Sequence, residues 1–336
     1  MSEQIYQYAP VVIPTLCRSQ CFIPCIESLS ACIGAEYTDV YIALDFPSKD
    51  NHWEGYLKIV HYLENARLNF KTLHVIKREK NYGVYGPNSN LKTLSKELWK
   101  KYDRLIFSED DNVFAPNFLQ YINKGLELFE NDYTVDSICG YLDYYGLKTD
   151  GNTFYRCPSH FSAWGYGTWR DRRDRRDRIT TQYFRNTLSV KILMKMARFG
   201  RSRFLAYLSA MCPTNYLWIN DVNLGTYMIL EGKYQIRPTL SLVKNIGVDS
   251  GENFSSCAGE IANIYLQQPV STDTTFEYIG TGYEYQSENV KDWIEKETLF
   301  HDKYHWITRK VFIKKIFKNV IKIILGYLGW SPKKDK

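Results

Sequence analysis

Strand-like and helix-like segments alternate through the first third of this chain, and this alternation constrains the fold more than any other feature of the sequence. Short apolar runs predict strands at residues 10–16, 40–44, 71–77 and 103–108. Segments that predict helices lie between them, at residues 21–33, 52–68 and 91–101. This order is typical of an α/β fold with a largely parallel sheet. Because ligands of such sheets bind beyond the carboxyl ends of the strands, we expect the functional residues to follow the strands.

The second half of the chain is less regular. Residues 136–169 predict short strands and loops, and residues 171–178 predict the start of a charged, solvated helix. Residues 184–211 have helical periodicity, a further helix is expected at 220–231, and residues 236–238 and 240–243 predict a late strand. Internal repeats and low-complexity linkers are absent from the sequence. We therefore expect one main domain over residues 1–300, followed by a basic tail over residues 301–336.

The composition excludes a disordered chain, because 44% of the residues are hydrophobic and 15% are aromatic. No segment reaches the roughly 18 uncharged apolar residues that a membrane-spanning helix needs.

Cys17, Cys21 and Cys25 recur every four residues, as on one face of a helix, and the N-terminus lacks the features of a signal peptide. We expect reduced thiols in a cytoplasmic protein, with a zinc site on Cys17 and Cys21 as the alternative.

Three consecutive acidic residues, Glu109, Asp110 and Asp111, follow the fourth predicted strand, and we refer to them as the acidic triplet. Adjacent carboxylates raise one another's pKa unless a cation lies among them. Mg²⁺ or Mn²⁺ suits such a site, because these ions prefer carboxylate and water oxygens and bridge diphosphates. The alternative is an exposed acidic turn. A predicted helix at residues 117–130 follows Pro116 and would fix the geometry of the loop.

The acidic triplet and the Pro116-Asn117-Phe118 that follows it resemble a signature of GT-A glycosyltransferases. The likeness is to enzymes similar to N-acetylglucosaminyltransferase I and to a related, family 2-like group of bacterial sugar transferases. Residues 162–169 (SAWGYGTW) are similar to a WGWATW segment of the bacterial group, and residues 245–251 (NIGVDSG) resemble its NIG(x)DGSG stretch. The three matches lie in the expected order over roughly residues 10–255.

The resemblance implies a GT-A fold, a three-layer αβα arrangement that is Rossmann-like, and a nucleotide-sugar donor. It implies that Asp111 contacts a divalent metal, Mn²⁺ or Mg²⁺, and that Glu109 and Asp110 meet the ribose or the water shell. The C-terminal loop lacks the His that some GT-A enzymes use as an extra ligand. A metal held by Asp111 and the donor phosphates alone is therefore expected. The loop at residues 81–88 also departs from the family, with Pro87 where relatives continue a helix.

Residues that follow the first three predicted strands are expected to bind the donor. By analogy with the fold, Pro14, Thr15, Arg18 and Asp45 hold the nucleoside, and Asp45 could accept a hydrogen bond from the N–H of uracil, so that a UDP-sugar is expected. Asn81 and Gly83 lie where a backbone must approach the nucleotide closely, which glycine permits. The alternatives are a turn or helix-capping role for Asp45 and an ordinary turn for the glycine loop.

Flat aromatic side chains and a glycine in Trp164-Gly165-Tyr166 suit a surface under the donor sugar that opens toward an acceptor.

An inverting transferase also needs a general base within reach of the acceptor hydroxyl. The candidate is Asp221, which resembles the acidic residue at the equivalent helix start in inverting GT-A enzymes. Its alternative role is an ordinary helix N-cap.

Residues 306–330 predict an amphipathic helix on which Lys310, Lys314, Lys318 and Lys322 recur every four residues. Much of the net charge of +6 lies in this tail. Basic amphipathic helices bind anionic membranes reversibly, so we expect peripheral attachment at the inner face of the cell membrane. The alternative is a helix that covers the catalytic domain. Nucleic acid is not expected as a partner, because no binding motif accompanies the tail.

Together these features predict a glycosyltransferase of bacterial surface polysaccharide or glycoconjugate synthesis, acting on a glycan or lipid-linked saccharide. Two other functions stay open. A sugar nucleotidyltransferase shares the α/β frame and the acidic metal ligands, but it would need a glycine-rich basic loop after the first strand, where this chain offers only Arg18. A non-catalytic carbohydrate- or lipid-binding module would keep the aromatic residues without needing the acidic triplet.

Overall fold

The computed structural model describes residues 8–84, 86, 88–142, 151–177, 179–212, 221–247, 269–282 and 309–329. The chain divides into two compact units. Unit 1 comprises Met1–Tyr155, Ser162–Arg172 and Ile236–Gly282, and unit 2 comprises Arg156–Phe161, Arg173–Gln235 and Tyr283–Lys336. The expected functional division at residue 300 stays a prediction. Tyr85, Pro87 and residues 218–220, 248–251, 306–308 and 330, which carried some expectations, lie outside the described residues.

Strands and helices alternate through the first four strands as the sequence predicts, with small shifts at their ends, while the single late strand expected over residues 236–238 and 240–243 is divided into two strands of different sheets. The strands are β1 (Val11–Thr15), β2 (Asp39–Leu44), β3 (Thr72–Lys77), β4 (Arg104–Phe107), β5 (Asn112–Phe114), β6 (Val135–Cys139), β7 (Phe154–Cys157), β8 (Tyr166–Trp169), β9 (Tyr234–Pro238) and β10 (Val243–Asn245). The helices are α1 (Ser19–Ser30), α2 (Trp53–Asn65), α3 (Asn90–Leu98), α4 (Phe118–Leu128), α5 (Arg170–Arg176), α6 (Thr181–Asn186), α7 (Val190–Arg198), α8 (Gly200–Ala210), α9 (Asp221–Glu231) and α10 (Arg309–Tyr327).

Eight of the described strands form one sheet in the order β3-β2-β1-β4-β8-β6-β9-β7. The pairs β3–β2, β2–β1 and β1–β4 are parallel, and β8 runs antiparallel to both β4 and β6. The α/β fold predicted from the sequence, with a large and mostly parallel central sheet, is thereby confirmed, and it is consistent with a GT-A type. The carboxyl ends of β1, β2 and β4 lie at the same edge of the sheet, so the residues that follow them are brought together.

β1 and β4 separate just before this edge. Their pairing ends at Val12 and Phe107, and the Ser108 N–H donates to the Val12 carbonyl. The backbone of Pro14, two residues further along β1, points toward β4 as that of Val12 does, but β4 has already ended at this level. Its missing N–H therefore costs no ladder hydrogen bond, which explains how a proline is tolerated in a central strand. The gap next to Pro14 is where the acidic triplet begins.

Two features of the structure were missed in the sequence. Residues 184–211 form parts of α6, α7 and α8 rather than one helix, because the Ser189 hydroxyl caps α7 by accepting the Ile192 N–H and Gly200 takes a φ of +90°. A second, two-stranded sheet pairs β5 with β10 antiparallel, with Asn245 opposite Asn112. Three-residue strands carry too little periodicity for detection.

The structure also describes the cysteines and the C-terminal helix. No disulfide joins any of the seven described cysteines. The amphipathic helix expected at residues 306–330 is α10. Among the described helices, none is long and apolar enough to cross a membrane.

Candidate functional site

The acidic triplet lies in the turn between β4 and β5 at the carboxyl edge of the sheet. Asp110 and Asp111 are only 6% and 3% exposed. Buried carboxylates are costly unless they are paired and hydrogen-bonded. Both carboxylates do have partners, and these come from segments that are distant in sequence. The burial therefore identifies the triplet as a built site rather than an exposed acidic turn.

Residues of and after β1 bind Asp110. The Thr15 hydroxyl donates to one oxygen of Asp110 at 2.8 Å, and the guanidinium of Arg18 donates to the other. Arg18 also reaches the Oδ2 atom of Asp111, with an N–O distance of 2.8 Å. Burial raises the pKa of Asp110 above its ordinary value although Arg18 opposes the shift. Burial alone would lower the pKa of Arg18, but Asp110 and Asp111 outweigh it and the pKa is raised.

The Asn-Ile-Gly segment at the end of β10 binds Asp111 from the other side. The Asn245 side-chain amide donates to Asp111 Oδ1 at 2.7 Å, and the Ile246 N–H donates to the Asp111 carbonyl at 2.8 Å. The Gly247 N–H in turn donates to the Asn245 side-chain oxygen at 3.0 Å. A Cβ atom at Gly247 would lie 2.0 Å from Asp111 Oδ2, so only glycine fits against this carboxylate.

The aromatic segment before β8 reaches the third carboxylate. The Trp164 indole N–H donates to Glu109 Oε2 at 3.0 Å, and the indole packs edge-on against Tyr141 with centroids 4.5 Å apart. Gly165 has a φ of +69°, and a Cβ atom there would lie 2.9 Å from Val243. Tyr166 is 8% exposed and stacks on Phe107, so its ring has little surface to offer to a sugar.

Asp45 holds the loop that follows β3. Its carboxylate accepts the N–H groups of Phe46, Tyr82 and Gly83 at 2.8–2.9 Å. Asp45 is 5% exposed. The structure therefore gives Asp45 a loop-organising role, and contact with a nucleoside stays a prediction for it.

The glycine loop itself is fixed to the end of β2. The Asn81 side-chain amide donates to the Phe46 carbonyl at 2.6 Å. Gly83 adopts a φ of +69°, which an L side chain rarely adopts, and its carbonyl accepts the Asn90 N–H at 3.0 Å. Asn81, which is exposed, and Gly83, which is half-buried, thus take part in a defined turn, and contact of this turn with a nucleotide stays a prediction.

Asp111 is the carboxylate that would hold a divalent metal at this site. Among the described residues no three His, Cys, Asp or Glu side chains cluster to form a metal site. Mg²⁺ and Mn²⁺ do not need such a cluster, since one or two carboxylates with phosphate and water oxygens complete their coordination. Asp111 next to Asp110 fits this donor set, and the guanidinium of Arg18 already gives the pair a cationic partner. Asp111 is therefore compatible with the predicted role.

Asp221 is the first residue of α9 in unit 2, and its side chain is exposed. The residues before it lie outside the described part of the chain. Its predicted role as the general base stays a prediction.

No protein-family model and no curated protein matches this sequence. Solved structures do resemble it. TarS from S. aureus (residues 1–349) is 16% identical over 51% of this chain and 49% of that chain, with a TM-score of 0.34. The mannosyltransferase PcManGT from Pyrobaculum calidifontis, in complex with GDP-Man and Mn²⁺, is 13% identical over 50% of this chain and 46% of that chain, with a TM-score of 0.35. This chain thus matches about half of each structure, and at these values the similarity carries no argument about activity.

Asn245 and Gly247 were not among the residues assigned to the site from sequence. The Asn-Ile-Gly resemblance marked their segment, but nothing in the sequence connected it with Asp111. The connection depends on the pairing of β5 with β10, which brings together residues more than a hundred positions apart.

Proposed function

We propose that this chain is a metal-dependent glycosyltransferase that moves a sugar from a nucleotide-sugar donor to a saccharide acceptor, with inversion at the transferred carbon. The observation that carries the proposal is a convergence. Three segments that separately resemble GT-A glycosyltransferases lie against one another, because Trp164 contacts Glu109 and Asn245 contacts Asp111. If the three resemblances had arisen by chance, there would be no reason for the three segments to be hydrogen-bonded to one another.

Asp111 would hold the ion together with the donor's diphosphate. When bound, such an ion supplies a Lewis acid that stabilises the negative charge of the leaving diphosphate. Asn245 fixes the orientation of the Asp111 carboxylate, and Gly247 leaves room beside it. The resemblance gives Glu109 and Asp110 contacts to the ribose or the water shell, and Trp164 and Thr15 hold these two side chains in position.

Arg18 would bind the same diphosphate. In the structure its guanidinium lies against Asp110 and Asp111, where it balances their charge. Its side chain is 27% exposed, so Arg18 is accessible to a ligand that binds next to the triplet. A guanidinium matches phosphate oxygens in the same bidentate manner as carboxylates.

The nucleoside would lie against the end of β1 and the loop that Asp45 organises. Pro14 and Thr15 border the gap between β1 and β4, and Asn81 and Gly83 form the turn beside it. Uracil is the base we propose, because its ring N–H could donate to Asp45 and its carbonyls could accept backbone N–H groups. UDP-sugars are therefore the expected donors.

The acceptor would lie beyond the transferred sugar, with Trp164 and Gly165 as its proposed contacts, because the buried ring of Tyr166 has little surface to offer. Asp221 is the proposed general base. It would take the proton of the acceptor hydroxyl while that oxygen bonds to the sugar's anomeric carbon and the bond from this carbon to the diphosphate oxygen breaks. We propose a glycan or lipid-linked saccharide as acceptor, in bacterial surface polysaccharide synthesis at the inner face of the cell membrane. The basic helix α10 supports this location.

The test is release of nucleoside diphosphate from a panel of UDP-, GDP-, ADP- and CDP-linked sugars by the purified full chain, with Mn²⁺, with Mg²⁺ and with a chelator. One donor class should be hydrolysed in the presence of metal. Asp111→Asn should lower the rate by about a hundredfold or more, the size of effect seen when one charge-stabilising group is removed from an active site.

Asp39→Asn is the matched control, because Asp39 is also buried, at 8% exposure, but lies at the opposite end of β2 from the site. This variant should keep the wild-type rate. Full activity of Asp111→Asn, or no turnover of any donor by a folded protein, would contradict the proposal. Pyrophosphate release from a nucleoside triphosphate and a sugar phosphate would instead support the nucleotidyltransferase alternative.

A further inference from the structure

The C-terminal helix α10 has two apolar faces, and in the part of the chain that the structure describes one of them is packed and the other is exposed. Within unit 2 that face lies on α8. The ring of Phe312 is 5.8 Å from the ring of Phe204, and the Cys212 thiol lies 3.7 Å from the Asn319 carbonyl. Ile323, on the same face, is 7% exposed. α10 is therefore anchored as part of the folded protein, and its other face has a defined direction relative to α8.

The second apolar face is exposed. It consists of Ile313, Phe317, Val320, Ile321, Ile324 and Leu328, which we call the outer stripe and which are between 39% and 77% exposed. These positions recur at three- and four-residue intervals, so they form one continuous row. At 1.5 Å of rise per residue the row is about 22 Å long. A contiguous exposed apolar surface of this kind marks an interaction site rather than ordinary surface.

The charge beside the outer stripe is of one sign. Helical geometry puts Lys314 and Lys318 directly along one border of the stripe, with Lys310 near its beginning. The sequence of α10 contains six basic residues, Arg309, Lys310, Lys314, Lys315, Lys318 and Lys322, and no acidic residue. Long lysine side chains can lie along an apolar surface while the ammonium group reaches polar surroundings. The partner must therefore combine an apolar interior with an anionic border.

An anionic lipid bilayer has this combination, and nucleic acid does not, because phosphate contacts leave exposed Phe, Ile and Leu side chains without a partner. We propose that the outer stripe of α10 lies parallel to an anionic bilayer surface, with the lysines on the lipid phosphates, while the opposite face of the helix stays packed on α8. This deepens the membrane association proposed above by assigning the helix face. It depends on the packing of α10 and not on the transferase activity.

Flotation of the full chain with vesicles tests the proposal. The wild type should bind vesicles of phosphatidylcholine mixed with phosphatidylglycerol, more weakly at high salt, and should bind pure phosphatidylcholine poorly. Phe317→Ser with Ile324→Ser should lower the partition coefficient by about tenfold or more, since both apolar side chains are removed from the contact. Lys314→Gln and Lys318→Gln should each lower it about fivefold on the anionic vesicles only.

Matched controls come from unit 1. Leu57 on α2 is 57% exposed, so Leu57→Ser removes a comparable apolar side chain, and Lys49→Gln with Lys101→Gln removes two exposed charges. These variants should bind as the wild type does. The outer-stripe variant should keep the wild-type melting temperature, because the substituted side chains are already exposed.

Failure of the wild type to bind anionic vesicles, or equal binding by the outer-stripe variant, would overturn the proposal. A lower molecular mass of that variant by light scattering, with unchanged vesicle binding, would also overturn it. The outer stripe would then join two copies of the chain. Release of nucleoside diphosphate from a soluble donor should be the same in the wild type and the outer-stripe variant. A chain that binds vesicles without transferase activity would leave this inference standing.

Discussion

Replacing Gly247 by alanine should damage the site through a single added methyl group. The new Cβ atom would lie 2.0 Å from Asp111 Oδ2, 2.7 Å from Cγ and 3.0 Å from Cβ of the same side chain. Ordinary van der Waals contact begins at 3.4 Å, so the nearest pair falls short by 1.4 Å. Gly247 does not have a left-handed φ, and crowding is therefore the whole effect.

Neither partner in this contact can move freely. Asp111 is held by Asn245 at 2.7 Å and by Arg18 at 2.8 Å, and the Gly247 N–H is bonded to Asn245. Relief requires a shift of about 1 Å in the carboxylate or in the segment that carries Gly247. Overpacking of this kind costs about 1–3 kcal/mol of folding free energy. A displacement of about 1 Å in a group that positions the substrate costs about a hundredfold in rate.

The assay is kcat/KM for release of nucleoside diphosphate, with the melting temperature measured on the same preparations. Gly125→Ala is the matched control, because its Cβ atom would lie 2.2 Å from the Tyr278 hydroxyl, on α4 and away from the acidic triplet. Both variants should lose stability, but only Gly247→Ala should lose about two orders of magnitude in kcat/KM. A loss no greater than that of Gly125→Ala would refute the role given to the Asn-Ile-Gly segment.

Three further substitutions test separate parts of the site. Arg18→Met removes the cation from the acidic triplet, so the free energy of unfolding should fall by about 3 kcal/mol, the low end for a buried ion pair because Arg18 is 27% exposed. The melting temperature of this variant should rise more on adding Mn²⁺ than that of the wild type. Trp164→Phe removes the hydrogen bond to Glu109 and should lower kcat/KM about tenfold, while Trp164→Ala should lower it further because the ring is also lost. Asp221→Asn should abolish transfer to an acceptor, measured as product formed, yet leave nucleotide binding by calorimetry unchanged. Normal transfer by this variant would exclude Asp221 as the base.

The first four strands could be predicted because each is a compact apolar run followed by a polar turn. The rule that ligands lie beyond the carboxyl ends of parallel strands then located Arg18, Asp45 and the acidic triplet at one edge of the sheet. Hydrogen bonds from Arg18 to the triplet and from the glycine loop to Asp45 agree with that rule. Local pattern and topology were sufficient at these positions.

Long-range pairings could not be predicted from the sequence. Asn245 reaches Asp111 only because β10 pairs with β5, and three-residue strands carry no usable periodicity. The break between α7 and α8 depends on the positive φ of Gly200. Both faces of α10 are apolar in the sequence, and only packing against α8 distinguishes the face that is buried from the face that stays exposed.

Metal-dependent binding of a nucleoside diphosphate is the property that a donor site at Asp111 must have. The melting temperature of the full chain is measured with UDP, GDP, ADP and CDP, each with and without Mn²⁺. At a nucleotide concentration about a hundredfold above Kd, binding stabilises the folded state by about 2.7 kcal/mol, which corresponds to a rise of a few degrees. We expect this rise for UDP with Mn²⁺ and its loss in Asp111→Asn. An unchanged melting temperature with every nucleotide and metal would contradict it.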